Sequence, residues 1–416
     1  MTMKDTRKNK QTELGLLPED WDVAKLGDIG YFLKGNGISK SQANSGNLCA
    51  VRYGELYTLH HNYIKTYNSH ISKEVALFAT KIQRGDILFA CSGETKEEIG
   101  KCAAFVDEVE AYAGGDILIL RTDQEKCSDI FLGFLLNMPI AANQKAAKGQ
   151  GDAVVHISKA ALENLFIPLP PIEEQRRIAS ALTSIDDLID SLDRLIAKKR
   201  DIKQGAMQQL LSGKKRLKGF TEPWVEKKLG DMAETASGGT PSRSNIDYYK
   251  GHICWFTTSE LTDNYLYDSN EHITNEALSC SSAKLFPIGT LLIAMYGATI
   301  GRLGILCTEA ATNQACCAIN CQKIDTIFLF YLLLLNRPNI IELGCGAGQP
   351  NISQDIVKNL EFIVPSSLPE QQAIASVLTS MDNELSALEA KRKKYEQIKQ
   401  GMMQQLLTGR IRFENA

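Results

Sequence analysis

The sequence predicts an α+β protein built as a tandem duplication: two globular bodies of mixed helices and twisted sheet, with a long helix closing each. Three observations carry this. The string "IASALTSIDD" from Ile178 returns as "IASVLTSMDN" from Ile374, and "IKQGAMQQLLSG" from Ile202 as "IKQGMMQQLLTG" from Ile398, at a constant offset of 196 positions. Each body opens alike, with "WDVAKLGDI" at Trp21 and "WVEKKLGDM" at Trp224. Between these landmarks lie short runs of β-formers bounded by glycine.

Residues 1–20 are polar and are expected to form a loosely ordered N-terminal tail. The first body, 21–170, holds strand candidates "AVRYGELYTL" from Ala50, "GDILFACSG" from Gly85 and "DILILRT" from Asp116. The second, 217–368, offers "HICWFTT" from His252, "GTLLIAMYG" from Gly289 and "ACCAINC" from Ala315. Short helices are predicted at Ile130 to Asn137 and Ile327 to Asn336, each stopped by a nearby proline, Pro139 or Pro338. Each body ends in a strand running into proline, after which Pro171 or Pro369, followed by acids, suits a helix start.

The helices occupy 171–216 and 369–416. In the first, Ile178, Ala181, Ile185, Leu188, Leu192, Leu195 and Ile202 recur at steps of three and four or their sum, one apolar face. In the second, Ile374, Val377, Met381, Leu388, Tyr395, Ile398 and Met402 do the same. About forty helical residues would extend roughly 60 Å. Such a helix needs a partner along its length, and its twin is available.

The 416 residues are 44% hydrophobic and 23% charged, ordinary for a soluble multidomain chain. No window of about 18 consecutive apolar residues suggests a membrane span, and the start lacks the apolar core of a secretory signal, so a cytoplasmic location is expected. Eleven cysteines lack the C-x-x-C pattern and six histidines lack zinc-ligand spacing; free thiols and no metal are expected. The net charge of −3 argues against indiscriminate coating of nucleic acid. Local charge differs, with eight basic residues against the single acid Asp201 from Lys198 to Lys218.

These features resemble the DNA specificity subunits of type I restriction-modification systems. The resemblance spans nearly the whole chain and rests on "IPLPPIEEQRRIASAL", "QGAMQQLLSGKKRL", "LPEQQAIASVL" and "QGMMQQLLTGRIRF". "SGGTPSRSNIDYYKGHICWFTTSEL" from Ser237, "YGATIG" from Tyr296, "TNQA" from Thr312 and "GQPNIS" from Gly348 add to it. The resemblance implies two target recognition domains, each reading half of a split asymmetric site in double-stranded DNA. It implies that the two helices pair as an antiparallel coiled coil that fixes the gap between half-sites and docks two methyltransferase subunits. It implies no catalytic residue and no cofactor here: S-adenosylmethionine would be bound by the modification subunits, and ATP with magnesium by restriction/translocase subunits where a system has them.

By family resemblance, the DNA-contacting candidates of the second half are Thr240, Ser242, Arg243, Thr258, Ser259, Tyr296, Thr299, Asn313, Gln314, Gln349 and Asn351. By repeat position, those of the first are Lys34, Asn36, Lys40, Arg52, Tyr53, Ser92, Lys96, Lys101 and Gln150. The alternative is a self-contained DNA methyltransferase or nuclease. "ELGCGAG" from Glu342 looks like a glycine loop for S-adenosylmethionine, but only 68 residues follow it, too few to complete the parallel sheet such a loop serves. Asp86, Glu94 and Lys96 have the D…E-x-K spacing of metal-dependent nucleases, a short pattern that also arises by chance.

Overall fold

The computed structural model describes residues 3–5, 8–344 and 351–413. It divides into two compact units, Met1–Asp193 with Lys391–Ala416, and Arg194–Ala390. Within the first, strands Gly30–Lys34, Ile117–Thr122, Asp86–Ala90, Cys102–Ala104 and Asn62–Tyr63 lie in that order in one sheet. A second sheet orders Ser69–Ile71, Leu48–Val51, Ala111–Ala113 and Thr80–Ile82. The second unit repeats both. Its five-stranded sheet runs Ala233–Ser237, Cys316–Cys321, Leu291–Ala294, Leu303–Leu306, Asn264–Leu266, and its four-stranded sheet Glu271–Ile273, Ile253–Phe256, Ala310–Thr312, Leu285–Phe286.

The correspondence extends to strand direction. In both units the edge pair of the larger sheet is parallel, as is the central pair of the smaller one. Two bodies that differ in sequence therefore share one topology, because what recurs is the pattern of buried strand positions. Asp86–Ala90 and Leu291–Ala294 are buried at every position, and a strand covered on both faces reads as a continuous apolar run.

The long helices span Ile172–Leu210 and Leu368–Leu406, 39 residues each, or about 58 Å at 1.5 Å per residue. Each divides between the units. In the first unit Asp186 pairs with Lys399 at 2.5 Å, and Asp193 with Arg392. In the second, Lys203 pairs with Asp382, Lys199 with Glu384 at 2.6 Å and Arg200 with Glu389 at 2.5 Å. From Asp186 to Asp193 the partner's number falls from 399 to 392, and from Lys199 and Arg200 on to Lys203 it falls from 384 and 389 to 382, so within each unit the segments run antiparallel. Asp186–Lys399 and Asp382–Lys203 are the same pair 196 positions apart, which makes the ion pairs a product of the duplication.

The buried stripe of the first helix is Ile178, Leu182, Ile185, Ile189, Leu192, Ile196, Met207 and Leu210. Ile178, Ile185 and Leu192 lie on it and Ala181 is half-buried beside it. Leu188, Leu195 and Ile202 do not lie on it: they are 36%, 38% and 46% exposed. Apolar residues flank the 178/185/192 line on both sides, and the body of the unit covers the side of Leu182. On the second helix Ile374 is buried and Val377, Met381, Leu388, Tyr395 and Met402 are half-buried, whereas Ile398 is exposed.

A buried latch sits at the base of each helix. In the first unit Arg412 grips Glu174 through Nε (2.7 Å) and Nη2 (2.5 Å), and Trp21 Nε1 donates to the same carboxylate at 3.1 Å. In the second, Arg216 grips Glu370 at 2.6 and 2.8 Å, with Trp224 Nε1 at 3.4 Å. The neighbouring glutamines act alike: Gln175 accepts from Ser128 N and Gln371 from Asp325 N, each at the start of a body helix. The recurring tryptophan and "EEQ" or "PEQQ" strings thus bind each body to its helix.

The structure departs from the sequence reading at several elements. The expected loose tail instead contains a hairpin, Asn9–Thr12 with Gly15–Pro18, turned at Gly15 with φ +97° and anchored by buried Leu17. The segment from Ala50 is a strand only to Val51. It then forms the helix Tyr53–Thr58, whose Glu55 caps Arg52 N and accepts from Ser69 Oγ. Pro139 starts a helix, Pro139–Lys148, rather than only ending one. Pro338 lies inside the helix Thr326–Leu343. That helix is long and apolar enough to cross a membrane, but Phe328 to Leu333 are buried in the core of the second unit.

Candidate nucleic-acid interface

In the second unit, strands of both sheets end on the same side, and the loops beyond them carry most of the candidates. Thr258 and Ser259 follow Ile253–Phe256, Tyr296 and Thr299 follow Leu291–Ala294, and Asn313 and Gln314 follow Ala310–Thr312. Backbone bonds knit these loops: Gly239 N to Thr312 O (2.8 Å), Asn313 N to Phe256 O (3.0 Å), Met295 N to Ala315 O (2.8 Å) and Ile352 N to Met295 O (2.9 Å). Asn351 bridges to Tyr296, and Thr240 Oγ1 donates to Gln314 Oε1 at 2.5 Å. Thr240, Tyr296, Asn313, Gln314 and Asn351 thereby share one surface.

The glycines before Thr240 are required by close packing. A Cβ on Gly238 would lie 2.1 Å from Thr312 Oγ1, and one on Gly239 would lie 2.3 Å from the Ser282 backbone. Arg243 is committed within the unit. Its guanidinium makes two bonds to Glu271 (2.5 and 2.8 Å) and lies 4.2 Å from the Tyr249 ring centre. Ser242 Oγ shares a 2.8 Å bond with Ser244 Oγ. Gln349 falls outside the described residues.

The first unit builds the same end from different residues. Lys34 closes Gly30–Lys34, Arg52 and Tyr53 follow Leu48–Val51, Ser92 follows Asp86–Ala90 and Lys101 precedes Cys102–Ala104. Gly35 N bonds Ile117 O, Gly114 N bonds Val51 O and Cys91 N bonds Asp116 O, at 2.8 to 2.9 Å. Lys34, Asn36, Lys40, Tyr53, Lys96 and Gln150 are exposed. Three candidates are held inward instead. Ser92 is buried with its Oγ 3.0 Å from His156 Nδ1. Lys101 Nζ donates to Tyr57 O at 2.9 Å, and burial pulls its pKa down. The half-buried Arg52 serves as the N-cap of Tyr53–Thr58.

Leu77 and Phe78, 82% and 72% exposed, stand beside this surface; Phe78 O lies 3.4 Å from where a Cβ on Gly37 would be. Nothing in an apolar pair following a helix marks it as exposed, so the sequence offered no signal. The nuclease-like triad does not assemble. Asp86 is fully buried at the start of its strand, held by Arg121 through two 2.8 Å bonds. Glu94 and Lys96 are exposed beyond the strand's far end, roughly 15 Å away at about 3.3 Å per residue. Residues 345–348 of the glycine loop lie outside the described residues.

Residues 18–198 and 221–400 each match the family described as the type I restriction modification DNA specificity domain. The chain belongs to this family of specificity subunits. It is 27% identical over 439 residues to the MjaVIII specificity subunit of Methanocaldococcus jannaschii, covering 96% of this chain and 95% of that one. Its fold is similar to the crystal structure of the S subunit from M. genitalium (TM-score 0.61, 15% identity, 95% and 96% covered). It is also similar to that of the HsdS subunit from Thermoanaerobacter tengcongensis (TM-score 0.52, 19% identity, 95% and 98% covered). Each matched stretch contains one body and enters its long helix, so each unit supplies one target recognition domain.

Proposed function

We propose that this specificity subunit reads a bipartite, asymmetric site in double-stranded DNA, one half with the loop cluster of each unit. The observation that supports this is the pairing of one shared topology with two different sets of loop residues. In the first unit the exposed members are three lysines with Tyr53, Asn36 and Gln150; in the second they are hydroxyl and amide side chains with Tyr296, beside an Arg243 already paired with Glu271. Amides and hydroxyls can read base edges in the major groove, whereas lysines hold phosphates and fix register. The two clusters should therefore select different sequences.

The long helices act in this reading as the spacer that fixes the gap and as the docking surface for two methyltransferase subunits. Restriction/translocase subunits join them in a system that also cuts. The subunit supplies no catalytic group. S-adenosylmethionine, and ATP with magnesium, belong to the partners, and the complex works in the cytoplasm. A direct test uses the chain purified to homogeneity, given labelled S-adenosylmethionine or magnesium and DNA. The expected result is no methyl transfer and no cleavage until methyltransferase subunits are added; turnover by the chain alone would overturn the reading.

A further inference from the structure

Strand pairing in the second unit joins residues that the sequence keeps apart. Cys254 on Ile253–Phe256 lies directly across from His272 on Glu271–Ile273, so both side chains stand on one face of the sheet. Asp268, from the turn entering the second strand, closes the group. Cys254 Sγ is 3.5 Å from Asp268 Oδ1, and His272 Nε2 is 2.8 Å from the same oxygen. All three donor atoms lie within 4.8 Å of one another.

We propose that Cys254, Asp268 and His272 form a binding site for a zinc ion. In a tetrahedral site with Zn–S near 2.3 Å and Zn–N or Zn–O near 2.0 to 2.2 Å, ligand atoms sit about 3.4 to 3.6 Å apart. The thiol-to-carboxylate separation already matches, and the imidazole needs to withdraw by roughly 0.6 Å. A thiolate with an imidazole selects zinc over magnesium or calcium, which take oxygen ligands. Binding converts the Cys254 thiol to thiolate and releases one proton to solvent, while the neutral His272 imidazole, which in the metal-free form donates Nε2–H to Asp268, gives up that proton and takes one on Nδ1, so that the Nε2 lone pair faces the metal. Exposed Asp268 leaves the fourth position open to water.

Two further observations support the site. The turn bearing Asp268 is braced from behind: Ser269 N donates to Asp268 Oδ1 (2.9 Å), Ser269 Oγ to Glu271 O (2.6 Å) and Trp255 N to Ser269 Oγ (2.9 Å). Supporting bonds of this kind orient metal ligands. The first unit places Cys49 across from His70 at the matching position of its smaller sheet, in a body of otherwise different sequence. There the nearby Asp107 is engaged by Tyr67 OH at 3.3 Å. Among the described residues, the three-donor group occurs only at Cys254. A zinc ion here would clip together the two strands that present Thr258 and carry Glu271, the partner of Arg243.

The test uses the metal-free full-length chain titrated with Zn²⁺ by equilibrium dialysis, and with Co²⁺ as a spectroscopic probe. One equivalent of zinc is expected, with a thiolate-to-cobalt charge-transfer band and tetrahedral d–d absorption. Cys254→Ser and His272→Asn should abolish the band. Asp268→Asn, at an exposed position that does not endanger folding, should weaken binding at least ten-fold, and Cys49→Ser should leave it unchanged. No zinc uptake at micromolar concentration, equal uptake by Cys254→Ser, or a cobalt spectrum lacking the thiolate band would each overturn the proposal.

Discussion

Replacing Arg412 with alanine should destabilise the first unit by about 3 kcal/mol. The estimate follows from what is left behind. The Glu174 side chain is 8% exposed and takes two of the four bonds that Arg412 makes to carboxylates, the other two going to exposed Asp20; removing one partner of a buried ion pair typically costs about 3–5 kcal/mol, because a charge stays desolvated. The lower end applies because Arg412 is itself 23% exposed. For a unit of about 220 residues, each kcal/mol moves the midpoint by roughly 2–4 °C, so the melting temperature should fall by roughly 6–12 °C. Scanning calorimetry or urea titration by circular dichroism gives the number. Glu174→Leu combined with Arg412→Leu should recover more than half of the loss, since the carboxylate then left alone, Asp20, is 54% exposed and no buried lone charge remains. A single-variant loss under about 1 kcal/mol, or no recovery in the double variant, would refute the buried-latch reasoning.

Gly205 and Gly401 occupy matching interior positions of the long helices, and a Cβ at either meets nothing within 4 Å. Alanine there should stabilise the isolated chain by roughly 0.5–1 kcal/mol each yet weaken capture of methyltransferase subunits in a pull-down, if those glycines are kept for close approach of a partner; stabilisation with unchanged capture would contradict this. Hydrogen bonding from Arg412 holds the Asp20 carboxyl below its usual pKa of 3.8. A depressed folded pKa gives stability that is present above the unfolded value and is lost as pH falls through the folded one. Asp20→Asn should therefore flatten the stability profile below about pH 4, and an unchanged slope in urea melts would count against the Asp20–Arg412 pair. Inserting about one helical turn near Ser191 should change the gap in the DNA motif and leave both half-sites intact, read by methylation-sensitive sequencing; altered half-sites would end the spacer reading.

Much of this architecture was legible because duplication wrote it twice. The constant 196-position offset marks both helices, and the ion pairs Asp186–Lys399 and Lys203–Asp382 are what that offset produces when segments run antiparallel. Which side of the stripe is buried was not legible, since Leu188 and Ile189 are both apolar and only the covering body chooses between them. Tyr53–Thr58 read as strand from its β-formers; the Glu55 cap and its bond from Ser69, 14 positions away, decide for helix. The loop candidates were chosen by motif in the second half and by repeat position in the first, and Ser92, Lys101 and Arg243 show the limit of both. Their partners, His156, Tyr57 and Glu271, come from elsewhere in the chain. Cys254 and His272 escaped for the same reason, since cross-strand pairing has no fixed spacing in sequence.

The most direct measurement is selection of bound sequences from a random double-stranded DNA pool by the chain assembled with its methyltransferase subunits. The account predicts a motif of two unlike half-sites separated by a fixed stretch of unselected bases. Exchanging the second body, residues 217–368, for that of a relative should change one half-site and keep the other and the gap. A single contiguous motif, or a body exchange that altered both halves together, would contradict the account.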